Sequence, residues 1–338
     1  MASRIIRNGF RQSSRQFAFS APSLGRFRSN PPAPVLREIG RMLKRTTAEE
    51  GGLYKVGQLF IHRAFAYRGI IVLASECPME VNDRSGRRGH TEPFYQVLIH
   101  RGDWEHMGFP INITSYLGEG GSRQEKILTV IHGMDCVRHA DLLPLVATDP
   151  RPIEHDLFDR IFECKRDPEA KQDEYKFALH PELEKHAIMN KDNKWLAPCQ
   201  AYIEKTENIE VMVITFYLGT TMVGGHIKHL WRYVNRITNT TPKSPVILRE
   251  RSVKVFSLNN MHHLNGIGVV GTPELGMNRP SFQFSSTVEF PHSKGGHLWG
   301  RFKMEREDRS VFDVAIPSVL LDSEARLPEP RIVTEEDT

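Results

Sequence analysis

The sequence is poor in cysteine, and its few cysteines lack the spacings that bind zinc or build a disulfide scaffold. Only four occur in 338 residues, none of them in a CxxC pair: Cys77, Cys136, Cys164 and Cys199. This usage is typical of a reducing compartment. No apolar run reaches the ~18–20 residues that cross a bilayer, so we expect no membrane span.

Sequence features of enzymes are also missing. There is no GxSxG nucleophile elbow, and no cysteine lies in an activating context. The close histidine pairs, His226/His229 and His262/His263, have no nearby carboxylate or cysteine to complete a metal site. We therefore predict a non-enzymatic protein with no catalytic residues, metal or cofactor.

Acidic residues are absent from the first 37 positions, which carry seven arginines: Arg4, Arg7, Arg11, Arg15, Arg26, Arg28 and Arg37. The whole chain has a net charge of +4, so the remainder is left with −3 once these seven are removed. A slightly acidic body lacks the strong basic footprint of a dedicated nucleic-acid binder.

The basic N-terminus has the composition of a mitochondrial presequence, rich in Arg and Ser with apolar residues interspersed. The run Arg15-Gln16-Phe17 resembles a matrix-protease cleavage pattern, which would cut before Ala18. A disordered basic arm is the alternative. We predict a presequence and linker over 1–34, a short helix over 35–50 from helical apolar spacing, and a disordered tail over 324–338. The expected location is the mitochondrial matrix; a nuclear pool stays open.

The clearest periodicity runs from Phe282 to Ile316. Apolar and polar residues alternate in three stretches separated by polar turns, which predicts an antiparallel meander with one buried face. In the first stretch the polar set Gln283, Ser285, Thr287 and Glu289 is expected to face solvent. The uncovered apolar face requires a second sheet.

That second sheet is predicted just upstream, in stretches rich in β-branched and aromatic residues: 209–218, 230–237, 246–251 and 253–258. In the second of these, Arg232 and Arg236 point away from the apolar face. About seven strands over 206–323 indicate an immunoglobulin-like β-sandwich.

A second β-rich module is expected over 51–150, with short strands and a long basic loop that carries Arg84, Arg87 and Arg88. This pattern suits a small β-barrel better than a sandwich. Residues 151–205 are predicted to be a charged, partly helical connector, with an amphipathic helix over 153–162. The predicted fold class is therefore mainly β, a small barrel followed by a sandwich.

Two sets of residues carry a family resemblance. Val56-Gly57-Gln58, His62, residues 67–71 (YRGII) and residues 93–98 (PFYQVL) resemble the YccV, or hemimethylated-DNA-binding, domain. Residues 266–271 (GIGVVG), 280–286 (PSFQFSS) and 296–300 (GHLWG) resemble the ApaG domain, a sandwich of fibronectin type III kind. Both domains in this order, behind a presequence, resemble the polymerase delta-interacting protein 2 family.

The resemblance implies a monomeric adaptor with protein partners. In this family the partners are the small subunit of polymerase delta, the sliding clamp and damage-tolerance polymerases, together with Clp protease components in mitochondria. The alternative is a DNA-binding module that acts through the YccV-like domain. Residues 75–92 lack the aromatic residues expected in that part of such a domain, so DNA binding is expected to be weak or indirect.

Two surfaces are candidates for interaction. The Arg84–Arg88 loop could meet phosphate or an acidic partner, or remain a solvated loop. Trp299, beside Arg301, falls on the face opposite the inward residues of its strand. It is either an interface anchor or a residue that packs across the sheet.

The run Gly266–Gly271 matches GxGxxG, but Thr272-Pro273 follows where a dinucleotide site needs a helix. We predict structural roles for Gly266, Gly268 and Gly271, which let the backbone turn or approach a neighbour closely.

Overall fold

The computed structural model describes residues 40–45, 52–122, 125–166, 175–183, 195–258, 260–269 and 271–322. The predicted presequence and linker (1–34), most of the predicted short helix, and the predicted tail (324–338) lie outside these residues. Within the described residues, no helix is long and apolar enough to cross a membrane.

Strands make up most of the described chain, which confirms the predicted mainly-β class. The N-terminal strands are β1 (Arg41–Met42), β2 (Leu59–His62), β3 (Arg68–Asp83), β4 (Gly86–Ile99), β5 (Thr114–Ser122), β6 (Glu125–Ile131), β7 (Met134–Arg138) and β8 (Leu142–Val146). The hairpin that follows consists of β9 (Phe162–Arg166) and β10 (Tyr175–Leu179).

The C-terminal strands are β11 (Gln200–Thr206), β12 (Ile209–Val223), β13 (His226–Asn239), β14 (Val246–Ser257), β15 (Asn260–Ile267), β16 (Glu274–Leu275), β17 (Ser281–Phe290), β18 (Gly296–Arg306) and β19 (Val311–Leu321). The α-helices are single turns, α1 (Trp104–Met107) and α2 (Phe158–Ile161), and 3-10 turns lie at Arg101–Asp103 and His139–Asp141.

The N-terminal strands pair in the order β1-β8-β2-β3-β4-β7, and this hydrogen-bonded ladder has two ends. The small β-barrel predicted for this module is therefore not closed within the described residues. Arg41–Met42, inside the predicted short helix, is a strand antiparallel to β8. The predicted helix over 153–162 is likewise reduced to α2, because Phe162 already begins β9.

The long basic loop predicted to carry Arg84, Arg87 and Arg88 is not a loop. Residues 75–92 form the outer half of one long hairpin, β3–β4, which turns at Arg84-Ser85. Cys77 and Met79 are buried on one face of β3, and Val81 is partly buried beside them. This alternation at a period of two outweighs the local effects of Pro78 and Gly86.

The outer half of β3 also joins the two modules. Residues Met79–Asn82 pair in parallel with residues Ala201–Glu204 of β11, which extends the N-terminal ladder through β11, β12, β13 and β17 into a ten-stranded sheet. The Asn82 amide donates hydrogen bonds of 3.0 and 2.9 Å to the Glu204 carboxylate across this junction. Although β11 falls in the predicted connector, it is a strand of the shared sheet.

The sandwich forms where this sheet faces a second one, ordered β15-β14-β18-β19 with β16 on β14. The predicted three-stranded meander is wrong at its first connection. Strand β17 pairs with β13 in the ten-stranded sheet, whereas β18 and β19 pair in the other. The alternation correctly predicts that Phe284 and Phe302 face inward, and their rings pack edge to face 6.2 Å apart between the sheets.

One apolar cluster extends through both modules. It contains Phe60 and Tyr95 of the N-terminal strands and Trp231 and Phe302 of the sandwich, all fully buried. A second cluster fills the space around the β3–β11 junction. The described residues accordingly belong to a single compact unit.

Candidate protein-interaction surface

The tip of the β3–β4 hairpin carries the three arginines predicted to form a basic surface. Arg87 contacts Glu80 and Arg88 contacts Asp83, each at 2.6 Å. The Ser85 amide and the Arg88 guanidinium hold the pKa of Asp83 below its usual value. Because two of the three positive charges are neutralised on the hairpin itself, its tip is a weak site for phosphate.

Trp299 lies on the outer face of the second sheet, half-buried, next to Gly300 where the β18–β19 register shifts. Leu298, Phe302 and Met304 on the opposite face are fully buried. Arg301 shares the outer face and forms a 3.0 Å ion pair with Asp313, and both side chains are largely exposed. The structure thus places Trp299 and Arg301 side by side, facing solvent.

The registers of four strands add an apolar row beside Trp299. Directly paired residues project from the same face of a sheet. Leu320 of β19 pairs with His297, His297 with Phe256 of β14, and Phe256 with Met261 of β15. Each of these side chains is exposed, and Leu320 and Met261 are 45% and 50% accessible.

The next row contains Trp299, Lys254 and His263. We call the two rows together the outer-face patch, which consists of Phe256, Met261, Trp299, Leu320, Lys254, His263 and His297. It contains no acidic residue. Large apolar side chains that cluster on a surface, with basic neighbours, are typical of sites that bind other proteins.

The glycine-rich run turns the chain between β15 and β16. The Gly268 amide donates to the Arg249 carbonyl at 2.7 Å, and the Val269 amide donates to the Gly271 carbonyl at 3.1 Å. Gly268 has φ +62°, and an added Cβ would lie 1.9 Å from the Gly271 oxygen. The first amide is bonded to β14 and the second within the turn, so they do not form a cradle for phosphate.

The remaining sequence candidates do not converge on a reactive site. Within the described parts of the chain, no three His, Cys, Asp or Glu side chains are placed to hold a metal ion. All four cysteines are free thiols. Burial raises the pKa of Cys199 to about 12 and that of Cys77 well above its usual value, which keeps both thiols protonated and unreactive at neutral pH.

A buried ionic cluster between the modules was missed at the sequence level. The Arg236 guanidinium of β13 projects into the N-terminal module, where it contacts Asp141 at 3.4 Å and Asp135 at 3.6 Å. Gln283 accepts a hydrogen bond from Arg236 and donates one to Asp135, which also accepts from the Tyr67 hydroxyl. Burial opposes the charge on Arg236, but the two carboxylates outweigh it and raise its pKa.

The prediction that Gln283 faces solvent is wrong, since it is completely buried in this cluster. Arg232, predicted to point away from the apolar face, does so, but it too is buried. It donates to the Ser115 carbonyl at 3.0 Å and its guanidinium lies 4.0 Å from the centre of the Phe216 ring. The sequence signal for this buried interface is a strand, β13, that carries arginines four residues apart on the face opposite its apolar residues.

His62 lies beside this cluster and is fully buried. Its Nδ1 accepts hydrogen bonds from the Ala64 and Phe65 amides, and its Nε2 has no partner within the described structure. Burial, reinforced by the Arg236 charge, lowers the pKa of His62 to about 3. The imidazole is therefore neutral in the folded protein across the physiological range.

Fold and surface together define a class of protein: an N-terminal β module joined through one sheet to a β-sandwich that presents an exposed apolar patch. Residues 52–167 match the family model described as hemimethylated DNA-binding protein YccV like, and residues 223–306 match that of the ApaG domain.

Relatives extend this match over most of the chain. The human and mouse proteins named polymerase delta-interacting protein 2 are each 34% identical over 317 residues, covering 88% of this chain and 82% of theirs. Protein ApaG of Paramagnetospirillum magneticum is 32% identical over 127 residues, 38% of this chain and 97% of its own. The chain belongs to the polymerase delta-interacting protein 2 family.

Proposed function

We propose that this protein is a non-enzymatic adaptor that binds partner proteins through the outer-face patch. The observation that carries the proposal is the clustering of Phe256, Met261, Trp299 and Leu320 on one solvent-facing sheet. An exposed apolar cluster of this kind is costly to keep in water unless another surface covers it. Tryptophan is also enriched among the residues that dominate binding energy.

The relatives' name, polymerase delta-interacting protein 2, supports polymerase delta as one of the partners. We propose that they include the small subunit of polymerase delta, the sliding clamp and damage-tolerance polymerases, and that in the mitochondrial matrix the protein regulates the Clp protease. A nuclear pool would reconcile the two partner sets. The adaptor is proposed to act as a monomer without a cofactor.

Replacement of Trp299 by alanine tests the patch. We expect Trp299→Ala to weaken binding of the purified polymerase delta small subunit at least tenfold, since interface tryptophans are often worth about 2 kcal/mol or more. The melting temperature should stay within a few degrees. The measurement is calorimetric titration beside thermal unfolding.

Val311→Ala is the matched control, because Val311 is an exposed apolar residue at the far end of the same sheet. The Val311→Ala variant should bind the polymerase delta small subunit as tightly as the parent protein. Unchanged affinity of Trp299→Ala for the polymerase subunit, the sliding clamp and a Clp component would refute the proposed patch. A large loss of stability in Trp299→Ala would show instead that the indole packs within the sheet.

DNA binding remains the alternative, although the paired arginines of the β3–β4 hairpin do not favour it. Phosphate contacts make affinity fall steeply with salt. A titration of duplex DNA at increasing ionic strength separates the two functions, and tight binding near physiological salt with a steep log–log slope would favour the DNA-binding module.

A further inference from the structure

The two edge strands of the sandwich's second sheet, β15 and β19, differ in whether their outward backbone groups are hydrogen-bonded. At the β19 edge, side chains of the facing sheet bond to the backbone: the Ala315 amide donates to Thr206 Oγ1 at 3.1 Å, and the Leu320 amide donates to the Tyr202 hydroxyl at 3.3 Å. At the β15 edge, no group within the described residues bonds to the backbone on the side away from β14. As far as the described parts of the chain extend, the β19 edge is protected and the β15 edge is open.

Strand β15 also lacks the usual devices that protect an edge. Proteins blunt exposed edges with lysines, prolines, bulges or very short strands. Its eight residues, Asn260–Ile267, contain no charged residue and no proline, and they pair with β14 without a register shift. All but Gly266 are exposed, and Met261, Leu264 and Ile267 expose 50%, 37% and 90% of their surface.

The surroundings of this edge are basic. Lys254 pairs with His263 on the outer face, and Arg251 pairs with Gly266 on the inner face. Arg251 Nε is buried without a hydrogen-bond partner within the described structure. The acidic residue of this stretch of β14, Glu250, is held at 3.0 Å by Lys303. The open strand is therefore flanked by two cations with no ion pair to a described carboxylate.

We propose that β15 binds an extended, acidic segment of a partner protein, which adds to the second sheet as a further antiparallel or parallel strand. Resting on the proposed function, this inference names the chemistry that the adaptor recognises. Backbone hydrogen bonds to the open edge supply affinity, and alternate side chains supply specificity. Carboxylates on the added strand meet Lys254 and Arg251.

The charges select this occupant over a second copy of the same chain. A second copy of β15 added at this edge would offer Lys254 and Arg251 no carboxylate, because Asn260–Ile267 contains none. At about 3.4 Å per residue, the eight-residue edge offers roughly 27 Å, enough to seat about eight residues of a partner.

The probe is a fluorescein-labelled ten-residue peptide in which pairs of acidic residues (Glu or Asp) alternate with pairs of Thr or Val, so that both faces of the extended peptide carry carboxylates. It is titrated into the full chain by fluorescence polarisation. A matched peptide carries Lys in place of every acid. We expect the acidic peptide to bind at least tenfold more tightly at low salt. Lys254→Glu should weaken its binding about fivefold or more, whereas Lys243→Glu, on the exposed β13–β14 loop, should leave it unchanged.

Backbone pairing is tested on the peptide. Adjacent amides of an extended strand point to opposite sides, so N-methylation of alternate residues blocks one side only. Strand addition predicts that one of the two N-methylated peptides loses binding and the other retains it. Equal binding of both, or equal binding of the lysine peptide, would overturn the inference.

Two further results would overturn the strand-addition inference without refuting the adaptor proposal. If Trp299→Ala abolishes binding of the polymerase subunit while the acidic peptide fails to bind, the adaptor proposal stands and the strand-addition inference falls. Tighter peptide binding after removal of residues 323–338 would show that the chain's own acidic terminus occupies the edge, which also overturns the assignment to a partner.

Discussion

Arg236→Ala is expected to lower the free energy of unfolding by about 3–5 kcal/mol, the usual result of removing one partner from a buried ion pair. The substitution leaves Asp135, which is 1% exposed, without an ion-pair partner among the described residues, and leaves Asp141 with only its ion pair to the exposed Arg63. It also removes the hydrogen bond to Gln283. The measurement is urea unfolding of both proteins at pH 7.

Arg301→Ala is the matched control, because it removes the same side chain from an exposed ion pair with Asp313. Exposed pairs contribute at most about 1 kcal/mol, so this variant should be nearly as stable as the parent. Equal effects of the two substitutions would contradict the structural importance assigned to the buried cluster.

The second large effect is a loss of stability in mild acid that originates at His62. Its pKa is lowered by burial from 6.5 to about 3 in the folded protein. Between these values the unfolded chain binds a proton that the folded chain does not. The contribution of His62 is therefore complete above pH 6.5 and falls by about 1.4 kcal/mol for each pH unit below it.

The variant His62→Asn isolates this effect, because the amide oxygen can accept the Ala64 and Phe65 hydrogen bonds without titrating. Unfolding free energies measured from pH 7 to 4.5 should fall less steeply for the variant. Below pH 6.5 the two slopes should differ by about 1.4 kcal/mol per pH unit, the value for one bound proton. Parallel curves for the two proteins would show that His62 is protonated in the folded state, against its position in the structure.

Local periodicity predicted most of what a single strand determines. The inward positions Leu298, Phe302 and Met304 and the outward position of Trp299 follow from alternation alone, and the structure has them so. Alternation does not identify the strand with which each of these strands pairs. Strands β17 and β18 turn matching apolar faces toward the same core from opposite sheets, so a meander and a crossover give the same pattern.

The hairpin over 75–92 was mistaken for a loop because Pro78, Gly86 and Gly89 are local turn signals. Its order depends on distant partners: Cys77 and Met79 pack against β11–β13 residues more than 100 positions away. Propensity is weak against such packing, and a single sequence does not reveal the pairing of β3 with β11.

The candidate surface was predictable only in part, because pairing between strands positions most of it. Trp299 was identified from its own strand, whereas the row of Leu320, Phe256 and Met261 beside it depends on the register of four strands. The ionic cluster of Arg236 was not predicted, since it joins residues from both modules and its sequence signal has two readings. Arginines opposite an apolar strand face indicate solvent or a second buried interface equally well.

The two modules share one sheet and one apolar core, and therefore fold as a unit that holds the outer-face patch in place. Urea unfolding followed separately through Trp104 of the N-terminal module and Trp231 of the sandwich, with the other tryptophans replaced by phenylalanine, tests it most directly. Folding as one unit should give superimposable transitions with one midpoint. Two separated midpoints, with one module still folded after the other has melted, would contradict it.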